Sequence, residues 1–288
     1  MTPTKIDGLV GTRTGDRCGM DEGRVHRNCP LCGAAPPGGE PLRYSHPDWP
    51  LKKCPSCSLV YLEYAPAYVR LEEEFGFTEQ YDRQWERRLK EQPILARLDK
   101  WTMWRLGMFG DPTPASGMRA WARPGPVLDV GCGTGDEFEK LDDGYIPFGI
   151  EIEKRAAAEA RAIFQKRGGQ VLNADAVSGL AQLPEKYFNG VAMWGYLEHE
   201  TNPKPALEGV RRVIKDDGIV VVKVPNYACW NRSILGNKWT GFWHPDHTQY
   251  WTPKTMAQLA KDCGFDAHFR LYGRIPLNDY MYVNLRPA

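Results

Sequence analysis

Val127-Leu-Asp-Val-Gly-Cys-Gly-Thr-Gly135 reads as a short buried strand running straight into a glycine loop. Glycines at the alternate positions 131, 133 and 135 let the backbone turn sharply and approach a ligand with no Cβ in the way. A dinucleotide loop carries G-x-G-x-x-G and lays a pyrophosphate on the N-terminus of the next helix. Here the spacing is G-x-G-x-G, and Asp136 and Glu137 follow at once, in the first turn of the expected helix. Two carboxylates there already complement the helix dipole and repel a pyrophosphate. The loop therefore suits a ligand without phosphates that carries positive charge.

Apolar strands alternate with amphipathic helices on the C-terminal side of this loop. Strands are expected at 127–130, 147–151, 170–173, 190–194 and 218–224, and the clearest helices at 154–167 and 205–214. That alternation implies α/β architecture, a parallel sheet with helices on both faces. Segments 265–275 and 279–285 flank a proline-containing turn and read as an antiparallel pair at the sheet edge. Glu151 ends the second strand, 20 residues after Gly131, where a carboxylate can take both hydroxyls of a ribose. Asp175 follows the third strand and can accept from an exocyclic amino group such as that of adenine. Acids at three successive strand ends share the crevice where open α/β sheets bind ligands. S-adenosylmethionine, with a sulfonium, an ammonium and an adenosine, matches that set.

The stretches VLDVGCGTG, GIEI, NADA, FNGVAMWGYLEH, VRRVIKDDGIVVVKVPN and LAKDCGF together resemble class I S-adenosylmethionine-dependent methyltransferases. The resemblance spans residues 127 to 285. It implies a Rossmann-like seven-stranded sheet whose last strand is antiparallel. It also implies Asp129, Gly131, Cys132, Gly133 and Gly135 near the methionine moiety, Glu151 and Ile152 at the ribose, Asp175 and Ala176 by the adenine, and Met193 and Trp194 lining the cofactor at the fourth strand's end. Asp216-Asp217-Gly218 stands where relatives often have Pro-Gly-Gly, a departure in a turn and not in the chemistry.

Upstream lie two knuckles, Cys29-Pro-Leu-Cys32 and Cys54-Pro-Ser-Cys57, with 21 residues between them. This spacing predicts a small zinc ribbon in which Cys29, Cys32, Cys54 and Cys57 close a tetrahedral, structural site; iron is the alternative metal. The segment is too short and too rich in proline to fold on apolar area alone, so a metal staple is expected. A ribbon ahead of such a domain resembles methyltransferases associated with sugar or glycan modification and, less closely, ribosomal RNA guanine methyltransferases with an N-terminal zinc finger. The expected division is a mobile tail at 1–28, the ribbon at 29–64, a helical linker or lid and loop at 65–126, and the methyltransferase domain at 127–288. Within the linker, Tyr81, Trp85 and Leu89 and then Ile94, Leu98, Trp101 and Met108 recur at helical spacing, while 110–126 reads as loop.

The chain has 288 residues, 42% hydrophobic and 25% charged, with a formal net charge of +1. That balance gives no global field for a polyanion, so a nucleic-acid partner is not favoured, although Arg24, Arg27, Arg43, Lys52 and Lys53 supply a basic face on the ribbon. No apolar run reaches membrane-spanning length and the first 28 residues lack a signal-peptide core, so a cytoplasmic protein is expected.

The acceptor side is expected to use histidine, the side chain best placed to move a proton near neutrality. His199 follows the fourth strand. His244, His247 and Tyr250 follow the fifth, with His247 and Tyr250 the preferred pair. Tyr227, Trp230, Trp239, Phe242, Trp243, Tyr250 and Trp251 crowd one connection, either to stack on an acceptor or to form a satellite core. Together these features predict methyl transfer to oxygen or carbon of a small-molecule or carrier-linked sugar. RNA methylation and a non-catalytic binding role are the alternatives.

Overall fold

The computed structural model describes residues 24–66, 112–270, 276 and 278–288. The tail before residue 24 and the helical stripe expected between Tyr81 and Met108 lie outside the described residues.

Seven strands form the main sheet: β5 (Gly125–Val130), β6 (Tyr145–Glu151), β7 (Gln170–Asn173), β8 (Phe188–Trp194), β9 (Ile214–Pro225), β11 (Phe265–Phe269) and β12 (Tyr280–Pro287). Their spatial order is β11-β12-β9-β8-β5-β6-β7. The five strands from β9 to the β7 edge run parallel, and β12 lies antiparallel to both β9 and β11. The expected terminal pair therefore exists, with the last strand slotted inside β11. From β5 the chain builds outward through β6 and β7, then returns to start β8 on the other flank. This reversal opens a crevice above the carboxyl ends of β5 and β8.

Each face of the sheet has its own helix layer. One layer comprises α1 (Pro114–Trp121), α2 (Asp136–Glu139) and α3 (Lys154–Phe164), which bury Met118, Phe138 and Phe164. The other comprises α4 (Ala176–Gln182), α5 (Pro203–Val213) and α6 (Pro253–Asp262), which bury Leu180, Leu207 and Met256. No described helix is long and apolar enough to cross a membrane.

Helix α1 corrects the loop expected over 110–126. Thr113 caps it: its Oγ1 accepts from the Ser116 amide at 3.2 Å, and Ser116 Oγ accepts from the Thr113 amide at 2.8 Å. Pro114 at the first helical position marks a start, not an interruption, because its missing N–H is one that the first turn leaves unbonded anyway.

The ribbon is larger than 29–64. Strand β1 (Arg24–His26) pairs with β4 (Tyr64–Pro66), so residues on both sides of the predicted limits belong to it. Strands β2 (Leu51–Lys53) and β3 (Val60–Leu62) are joined by β10 (Gln249–Tyr250), which comes from the main domain. Leu31, Leu59 and Tyr61 of the ribbon enter the same core as Leu197 and Trp251. Ribbon and domain thus share one sheet and one core. Arg27 fastens the joint, donating from Nε to the Leu62 carbonyl at 2.9 Å and from the guanidinium to the carbonyls of Thr201 and Thr248.

The two knuckles repeat one another. Gly33 and Ser58 follow the second cysteine of each, donate their amides to the carbonyls of Cys29 and Cys54, and have φ of 73° and 67°. The left-handed conformation costs an L-residue about 1 kcal/mol that glycine avoids. Ser58→Gly is expected to raise the ribbon's unfolding free energy by about 0.5–1 kcal/mol, less what glycine loses in unfolded-state entropy. A thermal melt that moves downward would show that Ser58 earns its place by a side-chain contact.

Candidate active site

The glycine loop lies at the reversal point of the sheet. Gly131, Gly133 and Gly135 all have positive φ. Two of them have no room for a side chain: a Cβ would sit 2.6 Å from Tyr196 Cδ2 at Gly131, and 2.9 Å from Phe164 Cε1 and 3.1 Å from the backbone of Ala160 at Gly135. Over Gly133, by contrast, an added Cβ would meet nothing within 4 Å among the described residues, which leave open space above the loop's centre. Cys132 points inward against Gly149 and is buried.

Glu151 braces the loop from below. Its Oε2 accepts from the Gly133 amide at 2.8 Å, and its Oε1 accepts from the Glu153 amide at 2.8 Å. Burial raises its pKa, and those amide bonds oppose the rise. Asp129 is fully enclosed, and burial first, then Glu151 and Glu137, holds its carboxyl well above the usual range. Acids that raise one another in this way are relieved by a cation. Asp175 caps α4, its Oδ1 accepting from the Ser178 amide at 2.9 Å. Ile152 and Asp175 are half-buried, and Ala176 is buried at the start of α4. At the end of β8, strand alternation turns the Met193 side chain into the core, fully buried, and leaves Trp194 half-buried on the opposite face. The open floor over Gly133 and the buried acids Asp129 and Glu151 fit a cationic cofactor such as S-adenosylmethionine.

On the acceptor side the structure separates residues that the sequence grouped. Tyr250 is not at the crevice; it is fully buried in β10 with Leu51, Val60, Leu62 and Trp239, between ribbon and domain. Burial holds its phenol well above the ordinary value, and its hydroxyl meets His244 Nδ1 at 3.2 Å. The aromatic segment is thus chiefly a satellite core. Trp239 donates to Asp279 Oδ1 at 3.0 Å and Trp251 to the Leu197 carbonyl at 3.2 Å, both fully buried. Trp230, by contrast, is exposed.

His199 and His247 do come together, their rings edge to face with centroids 4.7 Å apart. His199 Nδ1 faces the Asp246 carbonyl at 3.1 Å, and His247 Nδ1 faces the Gly241 carbonyl at 2.8 Å. Burial pushes His199 and His244 down to about 4, and His247 well below its ordinary value. Burial disfavours the charged form of all three imidazoles, and of these His199 and His247 are the two whose rings meet. Sequence reasoning passed over Glu198, which is buried beside both and raised by that burial to about 8, with Lys223 opposing. Its adjacency to His199 at the end of β8 was the available signal.

In the ribbon the sulfurs of Cys29, Cys32, Cys54 and Cys57 all lie within 4.8 Å of one another. Cys29–Cys57 and Cys32–Cys54 are 3.5 and 3.4 Å apart. The sulfurs of a tetrahedral zinc–thiolate site are roughly 3.8 Å apart, so the set fits with little movement. The basic face is smaller than expected: Arg27 is turned into the joint, and Lys52 is buried against the Gly39 carbonyl and Glu63.

A seven-stranded sheet of this order, with a glycine loop ringed by acids at its reversal, defines a nucleoside-binding class in which the bound group is cationic. A family described as "Methyltransferase domain" matches residues 112–268, and the chain belongs to that family. The match begins within two residues of α1. An uncharacterised protein of Methanocaldococcus jannaschii is 35% identical over 100 residues, a match taking in 35% of this chain and 37% of that protein. Two solved structures are similar in fold. One is a SAM-dependent methyltransferase of Archaeoglobus fulgidus, 19% identical, with a TM-score of 0.49, covering 60% of this chain and 92% of that one. The other, from Thermotoga maritima, is described as a SAM-dependent methyltransferase and possible histamine N-methyltransferase. It is 15% identical, with a TM-score of 0.48, covering 68% of this chain and 97% of that one.

Proposed function

We propose that the chain transfers a methyl group from S-adenosylmethionine to an oxygen, or an acidic carbon, of a small-molecule or carrier-linked sugar acceptor. The observation that carries the cofactor half of this reading is the crevice at the β5–β8 reversal. Glu151 binds a loop that has open space over Gly133 among the described residues, Asp129 lies buried at the end of the strand before it, and Asp175 follows the next strand. The sulfonium arrives already activated, so the protein's task is to hold the methyl carbon in line with the acceptor and exclude water. Glu151 and Asp175 orient the nucleoside, and the acid at Asp129 favours the cationic end of the ligand over the neutral thioether product.

A hydroxylated acceptor is supported over RNA by the loss of Arg27 and Lys52 from the ribbon's surface, which leaves Arg24, Arg43 and Lys53 as the basic residues there. The ribbon's four thiols are assigned a structural zinc, because a closed set leaves no position for substrate. Calorimetric titration with S-adenosylmethionine tests the reading: saturable heat at one site and a raised melting temperature are expected. Absence of both would point to a fold kept for binding something else.

A further inference from the structure

Glu198 and His199 sit in the turn after β8, and His247 comes from the segment between β9 and β10, yet one ligand atom of each lies within 4.8 Å of the others. The two imidazoles are oriented alike. A backbone carbonyl can only accept, so His199 Nδ1 facing Asp246 and His247 Nδ1 facing Gly241 both carry the hydrogen, and each Nε2 is left with its lone pair. That outer bond is the one a metal-binding histidine uses to fix its tautomer. Within 4.8 Å of both lies the Glu198 carboxyl group, fully buried, whose Oε2 has no hydrogen-bond partner. A buried carboxylate oxygen without a partner is costly, and a cation is what would satisfy it.

The backbone holding these groups is stitched across the chain. The Glu198 carbonyl accepts from the Thr248 amide at 2.8 Å, and the Gln249 side chain donates to the carbonyls of Leu197 and Glu200. Such bracing favours a site whose ligands move little. The same turn carries Tyr196, whose ring lies against Gly131, so the cluster borders the cofactor crevice.

We propose that Glu198, His199 and His247 form a second metal site, for a divalent first-row transition ion, distinct from the four-thiol site of the ribbon. Two imidazoles and one carboxylate suit zinc, manganese, iron or cobalt better than magnesium or calcium. Three protein ligands leave coordination positions open, as in catalytic sites and unlike the closed ribbon set. Tetrahedral bonds of about 2.1 Å place ligand atoms roughly 3.4 Å apart, so a set held within 4.8 Å closes on an ion by small side-chain shifts. The use of the ion rests on the methyltransferase reading. An acceptor hydroxyl bound at an open position releases its proton to solvent more readily, and the oxyanion attacks the methyl carbon. The oxygen–carbon bond forms as the carbon–sulfur bond breaks, and the electron pair returns to sulfur, which leaves as a neutral thioether.

The test is cobalt stoichiometry on the full chain after chelation, read by elemental analysis and visible absorption. Wild type is expected to take two equivalents, one giving intense thiolate-to-cobalt absorption and the other only weak bands. Glu198→Gln, nearly unchanged in shape, and His247→Ala are expected to keep the first and lose the second, so that stoichiometry falls from two to one. Saturation of wild type at one equivalent, or two equivalents in a folded Glu198→Gln protein, overturns the proposal. Melting curves establish that each variant is folded. S-adenosylmethionine titrated into the same samples separates the two ideas: two metals without cofactor binding would remove the methyltransferase reading and leave the site, and cofactor binding with one metal would do the reverse.

Discussion

Glu151→Ala is expected to weaken S-adenosylmethionine binding by about 100-fold, because one side chain serves two purposes. Its carboxylate holds the glycine loop through the Gly133 amide and its own turn through the Glu153 amide. In the proposed complex its remaining lone pairs take the ribose hydroxyls. Alanine removes the charged acceptor from the ligand and frees the amide that fixes the loop's centre. Each loss is worth roughly 1.5–3 kcal/mol for a bond to a charged group, and the two are not additive, since both act on the same loop. Glu151→Gln keeps one acceptor oxygen and is expected to fall between. The demethylated product shares the ribose, so its affinity should drop by a similar factor. Calorimetry with both ligands checks this. A change below threefold would mean that the nucleoside does not rest on Glu151.

The second large effect concerns the joint between ribbon and domain. Arg27→Met is expected to lower the unfolding free energy by about 2–4 kcal/mol, because it strips donors from carbonyls that have no water to replace them. The guanidinium reaches the carbonyls of Leu62, Thr201 and Thr248 and lies over the Tyr61 ring at 5.7 Å. Its desolvation is strong enough to bring its pKa down to about 10. Methionine keeps the apolar stem, so the loss reports hydrogen bonding and not packing. Arg27→Lys should recover only part, since a single ammonium cannot span acceptors on both sides of the joint. Denaturant unfolding followed by ribbon and domain probes gives the readout. One shared transition is expected in wild type, with the ribbon melting first in Arg27→Met. An unchanged midpoint would show that the shared core around Tyr61 and Trp251 holds the joint without it.

Local rules were sufficient for the nucleotide-binding half. Strand β5, the loop glycines, Glu151 at the end of β6 and Asp175 after β7 are fixed by the chain order of one repeating strand–helix unit. Spacing along the sequence therefore maps directly onto position along the sheet. The two Cys pairs were legible for a related reason: a C-x-x-C turn is a local structure, and four soft ligands have few alternatives.

The acceptor side was not legible in that way. His247 and Tyr250 are three residues apart, yet strand pairing of β10 with β3 carries Tyr250 into the core under the ribbon, while His247 turns back to meet His199, 48 residues earlier. Met193 and Trp194 are turned to opposite faces of the sheet by the pleat of β8, each against a different core cluster. Arg27 reads as a surface charge until the carbonyls it ties are known. The sequence by itself determined the sheet, the cofactor loop and the thiol set, because each depends on contacts between near neighbours or on a repeating unit. The tertiary structure alone decided that His199 meets His247 while Tyr250 packs under the ribbon, because that depends on how a ribbon and a long connection, distant in sequence, pair and pack against one domain.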